Sequence, residues 1–237
     1  MIFSSWNIRG LNRTNKQREI AQLIHNHSID VMGIVETKIK IGKQDSVQVR
    51  MLPTWDYYTN VNSDSTNRIW LTWNPCKANL HIIHESQQVL HVFIEDIKES
   101  KSITATFVYG LHTINDRQPL WNFLSSIASS IQTPWLVLGD FNEVTEPNEI
   151  SGNNISWSNG MEDFNECLNK ACLLDLRYTG LFYTWSNRRF NRTDFTERKL
   201  DRVLVNNDWL DCYPNSNAFF KAPGISDHSP MIVDLGG

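Results

Sequence analysis

The sequence has no long apolar segment. Its apolar runs, such as the four residues of Trp135–Leu138, are far shorter than the roughly 20 residues of a membrane-spanning helix. The N-terminal residues contain neither a basic stretch nor a long apolar stretch, so we expect no secretory signal. These absences predict an intracellular protein without membrane contact.

Cysteine is also scarce, with four residues in a chain of 237. They occupy positions 76, 167, 172 and 212, a spacing that contains neither a CxxC pair nor a zinc-ligand pattern. A disulfide framework and a structural zinc site are therefore not expected. Free thiols in a reducing compartment fit the spacing best.

Basic residues are fewer than acidic ones, 22 against 26, and the formal net charge is −4. This balance by itself argues weakly against a nucleic-acid partner. The stretch from Asn187 to Arg202 is an exception, because it contains six basic residues and three acidic ones. The six are Arg188, Arg189, Arg192, Arg198, Lys199 and Arg202. Such a segment suits contact with a polyanion, and equally a solvated hairpin of mixed charge.

The composition that is present, 41% hydrophobic and 20% charged, is that of a globular protein. Short strand-like runs alternate with a few amphipathic segments. We predict strands at 2–8, 31–35, 68–73, 80–83, 89–94, 103–109, 135–138, 183–186, 200–205 and 231–235. We predict helices at 14–27, 120–131 and 161–172, the first opened by a capping box of Thr14 and Gln17. Because many strands form hairpins, we expect an α/β domain of two mixed β-sheets packed face to face, with helices outside.

Polar residues follow or close several of these strands. They are Asn7, Glu36, Asp140, Asn142, Asp227 and His228. Each alone is explained as a turn former, a cap or a solvated residue. Together they can converge on one edge of a sandwich, and they form a coherent set for phosphodiester hydrolysis. Carboxylates bind Mg²⁺, a carboxylate deprotonates water, and a protonated imidazole contacts a phosphate.

Six ordered motifs carry a family resemblance. They are Ser5-Trp6-Asn7-Ile8-Arg9-Gly10-Leu11, Glu36-Thr37, Val108-Tyr109, Gly139-Asp140-Phe141-Asn142, Lys199-Leu200-Asp201-Arg202-Val203-Leu204 and Ser226-Asp227-His228-Ser229-Pro230. In this order the chain resembles the endonuclease/exonuclease/phosphatase superfamily. The segments 6–12, 68–75, 118–121 and 182–187 further resemble the endonuclease domain of plant LINE-type (non-LTR) retrotransposons. The resemblance implies a DNase I-like four-layer sandwich and a single endonuclease domain over residues 1–237.

The resemblance also implies a role for each matching residue. Asp140 would deprotonate the attacking water, and Asn142 would help to place it. Glu36 would be the main metal ligand, with Asn7 and Asp227 beside the metal. His228 would contact the scissile phosphate, oriented by Asp201. The remaining implied residues are Tyr109 at the phosphate or leaving oxygen, Thr184 and Ser226 at the DNA backbone and the His228 loop, and Arg188, Arg189 and Arg192 on a hairpin that enters a DNA groove.

The implied activity is Mg²⁺-dependent nicking of one strand of double-stranded DNA, with Mn²⁺ as an alternative ion. In a full-length element the domain would be fused to a reverse transcriptase and act in the nucleus. Two alternatives stay open, a catalytically weak or dead DNA-binding remnant and another phosphodiesterase or phosphatase of the same fold. Two departures from the family pattern bear on them. One is Arg9, where repair enzymes often carry Asp, and the other is the loop Gly110-Leu111-His112.

Overall fold

The computed structural model describes residues 1–60, 66–152, 155–189, 191 and 194–236. The strands in this part of the chain are β1 Ile2–Asn7, β2 Val31–Lys40, β3 Asp56–Thr59, β4 Thr66–Trp73, β5 Ala78–Glu85, β6 Val89–Asp96, β7 Lys101–Tyr109, β8 Trp135–Asp140, β9 Leu174–Asp175, β10 Tyr178–Gly180, β11 Trp185–Ser186, β12 Glu197–Arg198, β13 Asp201–Val205, β14 Asn217–Phe220 and β15 Met231–Asp234. The helices are α1 Thr14–His27, α2 Gln44–Met51, α3 Ile114–Ile127, α4 Asn159–Ala171 and α5 Asn207–Cys212.

Two mixed sheets form the body of the molecule, as the sequence predicts. The first sheet has the order β10-β14-β15-β1-β2-β4-β3, and the second has the order β5-β6-β7-β8-β13-β9. Parallel pairs lie near the middle of each sheet, β1 with β2 and β7 with β8. Strands β11 and β12 form a separate two-stranded hairpin. The parallel pairs matter most for function, because their carboxyl ends carry the polar residues singled out above.

Three buried clusters define four layers. The cluster between the sheets joins residues such as Phe3 and Val31 of the first sheet to Phe107 and Leu138 of the second. The outer face of the first sheet packs on α1 and α2, and the outer face of the second packs on α3 and α4. Gly33 lies where the sheets approach closely, since a Cβ there would collide with the Phe107 ring.

Several local predictions were wrong. Helix α1 has the predicted bounds, but its N-cap is Arg13 and no side chain caps it, so the capping box does not form. The predicted strand 183–186 is reduced to Trp185–Ser186. Pro119 is the sixth residue of α3, which begins at Ile114 behind a Thr113 cap. Short elements without a clear apolar period, such as α2, were not predicted, because tertiary packing decides them.

Strand β2 runs five residues past the predicted end at Val35. The register against β4 shifts between Val35 and Ile39. Glu36 and Lys38 absorb this shift with left-handed backbone, at φ 56° and 55°. Such backbone costs roughly 1–2 kcal/mol per residue outside glycine and tends to occur at functional sites. The bulge turns the Glu36 side chain toward the sheet edge where the other polar residues lie.

All four cysteines lie in the described part of the chain and are free thiols. Five of the nine tryptophans are buried, at positions 6, 70, 121, 135 and 209. None of the helices among the described residues has the length and hydropathy of a transmembrane segment.

His91 in β6 is a buried, neutral histidine. Its Nδ1 lies 2.8 Å from the Thr106 hydroxyl, which also accepts a hydrogen bond of 2.9 Å from the Trp135 indole. The hydroxyl can satisfy both contacts by donating its single proton to Nδ1, which then carries none. Burial, with a smaller contribution from His84, lowers the pKa of His91 to about 4.

His91 therefore makes the fold sensitive to acid. An unfolded histidine titrates near pH 6.5, so between pH 6.5 and 4 the unfolded chain binds a proton that the folded chain does not. The stabilising contribution is complete above pH 6.5 and is lost as the pH falls toward 4. As the pH falls from 6.5 to 4, the wild-type free energy of unfolding should decrease by up to about 3 kcal/mol more than that of His91→Gln. Urea unfolding at a series of pH values measures this difference.

The control for this measurement is His81→Gln, since His81 is exposed on the neighbouring strand β5. Its unfolding free energy should follow the wild-type pH dependence. Parallel curves for wild type and His91→Gln would show that the buried imidazole is not the acid-sensitive group.

Candidate active site

The two sheets are joined at one edge by side chains from strand ends. Asn7 closes β1 in the first sheet, and Asp140 closes β8 in the second. The Asn7 amide Nδ2 donates a hydrogen bond of 2.8 Å to Asp140 Oδ2. Asp201 begins β13 directly opposite Asp140. The predicted convergence of strand ends therefore occurs.

Asp140 is held rigidly. Its Oδ1 accepts the Asn142 backbone N–H at 2.9 Å, and Asn142 Nδ2 donates to the Gly110 carbonyl at 2.6 Å. Asn142 has left-handed backbone, at φ 52°. Asp140 is 1% exposed, and this burial raises the pKa of Asp140, although His228 opposes the change. A carboxylate with a raised pKa is a better proton acceptor near neutral pH.

His228 lies between two carboxylates. Its Nδ1 is 3.0 Å from Asp201 Oδ2, and its Nε2 is 3.7 Å from Asp140 Oδ2. Burial lowers the pKa of His228, but Asp201 and then Asp140 raise it more, so the net pKa lies above the usual value. The imidazole is therefore held as a cation, with Asp201 fixing its orientation.

Thr184 and Ser226 are buried at the site, and the Ser226 hydroxyl also accepts the His228 backbone N–H at 3.3 Å, in keeping with the expected support of the His228 loop. The Thr184 hydroxyl accepts the backbone N–H groups of Leu200 and Asp201, at 3.1 and 2.9 Å. The Ser226 hydroxyl donates to the Asn7 carbonyl at 2.6 Å. Because both hydroxyls are bonded to backbone and nearly inaccessible, these residues position Asp201 and the His228 loop.

A second group of oxygen ligands lies beside the Asp140 group. Glu36 is 5% exposed, and Arg9 contacts it together with Asp227. Arg9 Nη1 lies 2.6 Å from Asp227 Oδ2, and Arg9 Nε lies 3.8 Å from Glu36 Oε2. Lys38 Nζ lies 2.6 Å from Glu36 Oε1. Two exposed basic side chains thus neutralise carboxylates that a metal ion would otherwise neutralise.

This second group fits a hard divalent cation. Asp227 Oδ1 is buried and has no hydrogen-bond partner within the described residues. Burial raises the pKa of Asp227, but His228 and Arg9 lower it more, so the net pKa lies below the usual value and the carboxylate is ionised. Glu36, Asp227 and the amide oxygen of Asn7 offer only oxygen atoms, the kind of ligand that Mg²⁺ prefers. The Asn7 oxygen also accepts the Arg9 backbone N–H at 3.0 Å.

Asp140, Asp201 and His228 also place one ligand atom each within 4.8 Å of one another. This group includes an imidazole nitrogen, whereas Mg²⁺ prefers oxygen ligands. The oxygen atoms of Glu36, Asp227 and Asn7 are therefore the set that could hold a hard cation, while His228 could keep its proton.

Tyr109 ends β7 and is 1% exposed. Burial raises the pKa of Tyr109, and Glu36 and Asp140 raise it further, so the phenol keeps its proton. The Arg68 guanidinium lies 5.8 Å from the centre of the tyrosine ring. Tyr109 can thus donate a hydrogen bond at the edge of the site.

The three arginines that were expected to contact DNA, Arg188, Arg189 and Arg192, differ in their surroundings. Arg188 is bonded back to the segment before Asp227, with Nη2 donating to the carbonyls of Gly224, at 2.8 Å, and Ser226. Arg189 is exposed. Arg192 lies outside the described residues. Of the predicted arginines, Arg188 therefore supports the His228 loop, and Arg189 faces solvent.

Sequence reasoning missed several contributors. The Trp185 indole donates to Asp227 Oδ2 at 3.0 Å, and the Trp6 indole donates to the His228 carbonyl at 2.8 Å. Both tryptophans lie in quoted motifs, so their position was visible but their partners were not. Arg117 is buried against Glu143 and donates to the carbonyls of Leu111 and His112. No pattern in the sequence indicated that this arginine fixes the loop after Tyr109.

The bridge made by Arg9 leads to a prediction about metal affinity. A cation entering between Glu36 and Asp227 has to displace the guanidinium or share the carboxylates with it. We expect Arg9→Gln to bind Mg²⁺ on the order of tenfold more tightly than wild type, a change of about 1.4 kcal/mol, measured by isothermal titration calorimetry.

Arg13→Gln is the matched control. Arg13 is exposed on the same loop, so this substitution removes the same charge at a residue that does not contact the two carboxylates. Its Mg²⁺ affinity should stay near the wild-type value. Equal or weaker Mg²⁺ binding by Arg9→Gln would mean that the guanidinium organises the carboxylates and does not compete for them.

Solved structures with the same fold include several phosphate-ester hydrolases. The 3′-5′ exonuclease NExo from Neisseria meningitidis is 16% identical at a TM-score of 0.74, over 99% of both chains. The endonuclease domain of TRAS1, a telomere-specific non-LTR retrotransposon, is 12% identical at a TM-score of 0.69, over 98% of this chain and 96% of that one. A mannosyl-6-phosphatase from Bacteroides thetaiotaomicron is 14% identical at a TM-score of 0.65, over 99% and 98%.

Among curated proteins, none matches the sequence significantly. The sequence model of the Endonuclease/Exonuclease/phosphatase family, in contrast, matches residues 4–228. That range contains the edge residues from Asn7 to His228. Members of this family hydrolyse phosphodiesters or phosphate esters and typically use divalent metal ions. The fold, the arrangement of the site and this match agree: the chain belongs to the Endonuclease/Exonuclease/phosphatase family.

Proposed function

We propose that the chain is a Mg²⁺-dependent endonuclease that nicks one strand of double-stranded DNA by water attack on the phosphodiester. The observation that carries the proposal is the buried Asp140, held by Asn7 and Asn142 and lying 3.7 Å from the His228 imidazole. A fixed base beside a fixed cation is what hydrolysis of a phosphodiester requires. Mn²⁺ is the expected alternative ion.

Each residue has one task in the proposed reaction. Asp140 accepts a proton from the attacking water, whose oxygen bonds to phosphorus as the bond to the 3′ oxygen breaks. The products are a 5′ phosphate and a 3′ hydroxyl. The His228 imidazolium donates a hydrogen bond to a non-bridging phosphate oxygen. Tyr109 donates a hydrogen bond to the leaving 3′ oxygen, which takes a proton from solvent water to become the 3′ hydroxyl. Glu36, Asp227 and Asn7 would hold the Mg²⁺ ion, which supplies positive charge at the phosphate.

Double-stranded DNA is the proposed substrate because of the basic residues beside the site and the similarity to a retrotransposon endonuclease domain. The 3′ hydroxyl of the nick would prime reverse transcription at the target. In a full-length LINE-type element, a reverse transcriptase fused to this domain would use that primer in the nucleus.

A second candidate is a DNA-binding remnant with weak catalysis. The bridge from Arg9 to Glu36 and Asp227 favours it, since this bridge opposes metal binding. A phosphatase of the same fold is a further alternative within the family. These candidates differ in whether they cut duplex DNA, so a nicking assay separates them.

The direct test is conversion of supercoiled plasmid to open circle. We expect conversion with Mg²⁺ and none with EDTA. Asp140→Asn and His228→Gln should each lower the rate by roughly 10²–10⁴-fold, because each removes a group that transfers or stabilises charge in the transition state. The exposed Asp208→Asn makes the same change as Asp140→Asn outside the site and should keep the wild-type rate.

Nicking that persists in EDTA or in Asp140→Asn would exclude the proposed mechanism. Binding of duplex DNA without any nicking by the wild-type chain would favour the remnant. Release of phosphate from a sugar phosphate, without nicking, would favour a phosphatase.

The two described arginines of the hairpin predict separable effects. Arg189→Ala should weaken DNA binding and lower the salt slope by about one, since it removes one phosphate contact, while kcat stays unchanged. Arg188→Ala should lower kcat as well, because Arg188 holds the carbonyls before Asp227. Fluorescence anisotropy gives the binding, and plasmid nicking gives the rate. Identical effects of the two variants would contradict this division.

A further inference from the structure

A groove lined by basic side chains lies beside Glu36, which contacts its lining residue Lys38. It has a volume of about 440 Å³ and is formed by the end of β2, the start of α1 and helix α2. Its charged lining residues are Lys38, Lys40, Lys43 and Arg50, and among the described residues no aspartate or glutamate lines it. In a chain with 26 acidic and 22 basic residues, a groove of one sign is not explained by composition.

Strand and helix geometry place these cations together. Lys38 and Lys40 are exposed on either side of the buried Ile39, and both line the groove. Lys43, Val47 and Arg50 follow a helical spacing along one side of α2. Beyond the bulge at Glu36, β2 continues to Lys40, and this last part of the strand contains the two lysines.

The fold gains little from these charges. Lys40 and Lys43 form no ion pair within the described residues. Arg50 donates to the Gln17 side chain at 3.3 Å, and this partner carries no charge. Four cations around one groove repel one another, and a groove of one sign concentrates an attractive field for a polyanion.

The groove is continuous with the candidate active site. Lys38 contacts Glu36, Glu36 contacts Arg9, and Arg9 contacts Asp227. On the other side of Asp227, Arg188 contacts the Ser226 carbonyl. The groove and the segment around Arg188 are thus connected through the same acidic residues, Glu36 and Asp227.

We infer that this groove binds the phosphodiester backbone of the DNA that flanks the scissile phosphate. The inference rests on the proposed function for the identity of the nucleic acid. An acidic peptide is the competing occupant, but among the described residues the lining offers only Val47 as an apolar contact, and the groove adjoins the proposed phosphate site. Contacts of this kind position the duplex and carry no base specificity.

The test is the salt dependence of DNA binding by the variant Lys40→Gln/Lys43→Gln/Arg50→Gln. Lys38 is left in place because it contacts Glu36. Binding of a fluorescent duplex is measured by anisotropy in EDTA, at salt concentrations from about 50 to 200 mM. Each lost phosphate contact should reduce the slope of log K against log salt by about 0.9, so the full loss approaches about 2.7.

The matched control is Lys77→Gln/Lys98→Gln/Lys101→Gln, which removes the same charge at the opposite end of the sandwich, beside Met1 and Asp234. This control should keep the wild-type slope. The thermal unfolding midpoints of both triple variants are compared with that of wild type to check that the variants fold.

The outcomes separate the groove from the proposed activity. A reduced slope in the groove variant alone supports the groove, even if plasmid nicking fails and the proposed function falls. An unchanged slope beside normal nicking overturns the groove and leaves the function standing. An absence of DNA binding by the wild-type chain overturns the groove. Loss of binding to a polyglutamate peptide, with DNA binding intact, also overturns it and identifies an acidic peptide as the occupant.

Discussion

The hydrogen bond from Asn7 to Asp140 joins the two sheets at the edge where the site lies. At 2.8 Å and almost without solvent exposure, it links the end of β1 to the end of β8. Asp140 then fixes the distance to His228, and His228 is held in turn by Asp201. A buried carboxylate without such partners would be costly, so the arrangement requires the sheets to keep their relative position. The sandwich is therefore the support of the site as well as its location.

Charge at this edge is arranged in two groups. Around Asp140 the buried cation is the His228 imidazolium, and around Glu36 and Asp227 the cations are Arg9 and Lys38. The first group is closed by hydrogen bonds, whereas the second leaves one Asp227 oxygen without a partner among the described residues. In the proposed reaction this difference favours proton transfer at the first group and metal binding at the second, where Arg9 contacts both carboxylates.

Sequence patterns predicted the strands with strong apolar or alternating character and the amphipathic helices α1 and α4. They did not predict α2, which has no clear apolar period. They also did not predict the continuation of β2 to Lys40, because the left-handed backbone at Glu36 interrupts the alternation of the strand. The motifs indicated that Thr184 and Ser226 support the His228 loop, but not which backbone groups they bond to, since a motif does not tell which groups a hydroxyl contacts. The contact of Arg188 with the carbonyls before Asp227 was likewise not visible in the sequence.

By itself, the sequence determined the family, the two mixed sheets and the set of polar residues at strand ends, because apolar alternation and ordered motifs are local properties of the chain. Only the tertiary structure decided which of those residues touch. The pairing of Asn7 with Asp140, the Arg9 bridge between Glu36 and Asp227, and the basic groove beside β2 join residues from distant parts of the chain or from different elements. Such contacts depend on packing and on a bulge, and no local pattern encodes their distances.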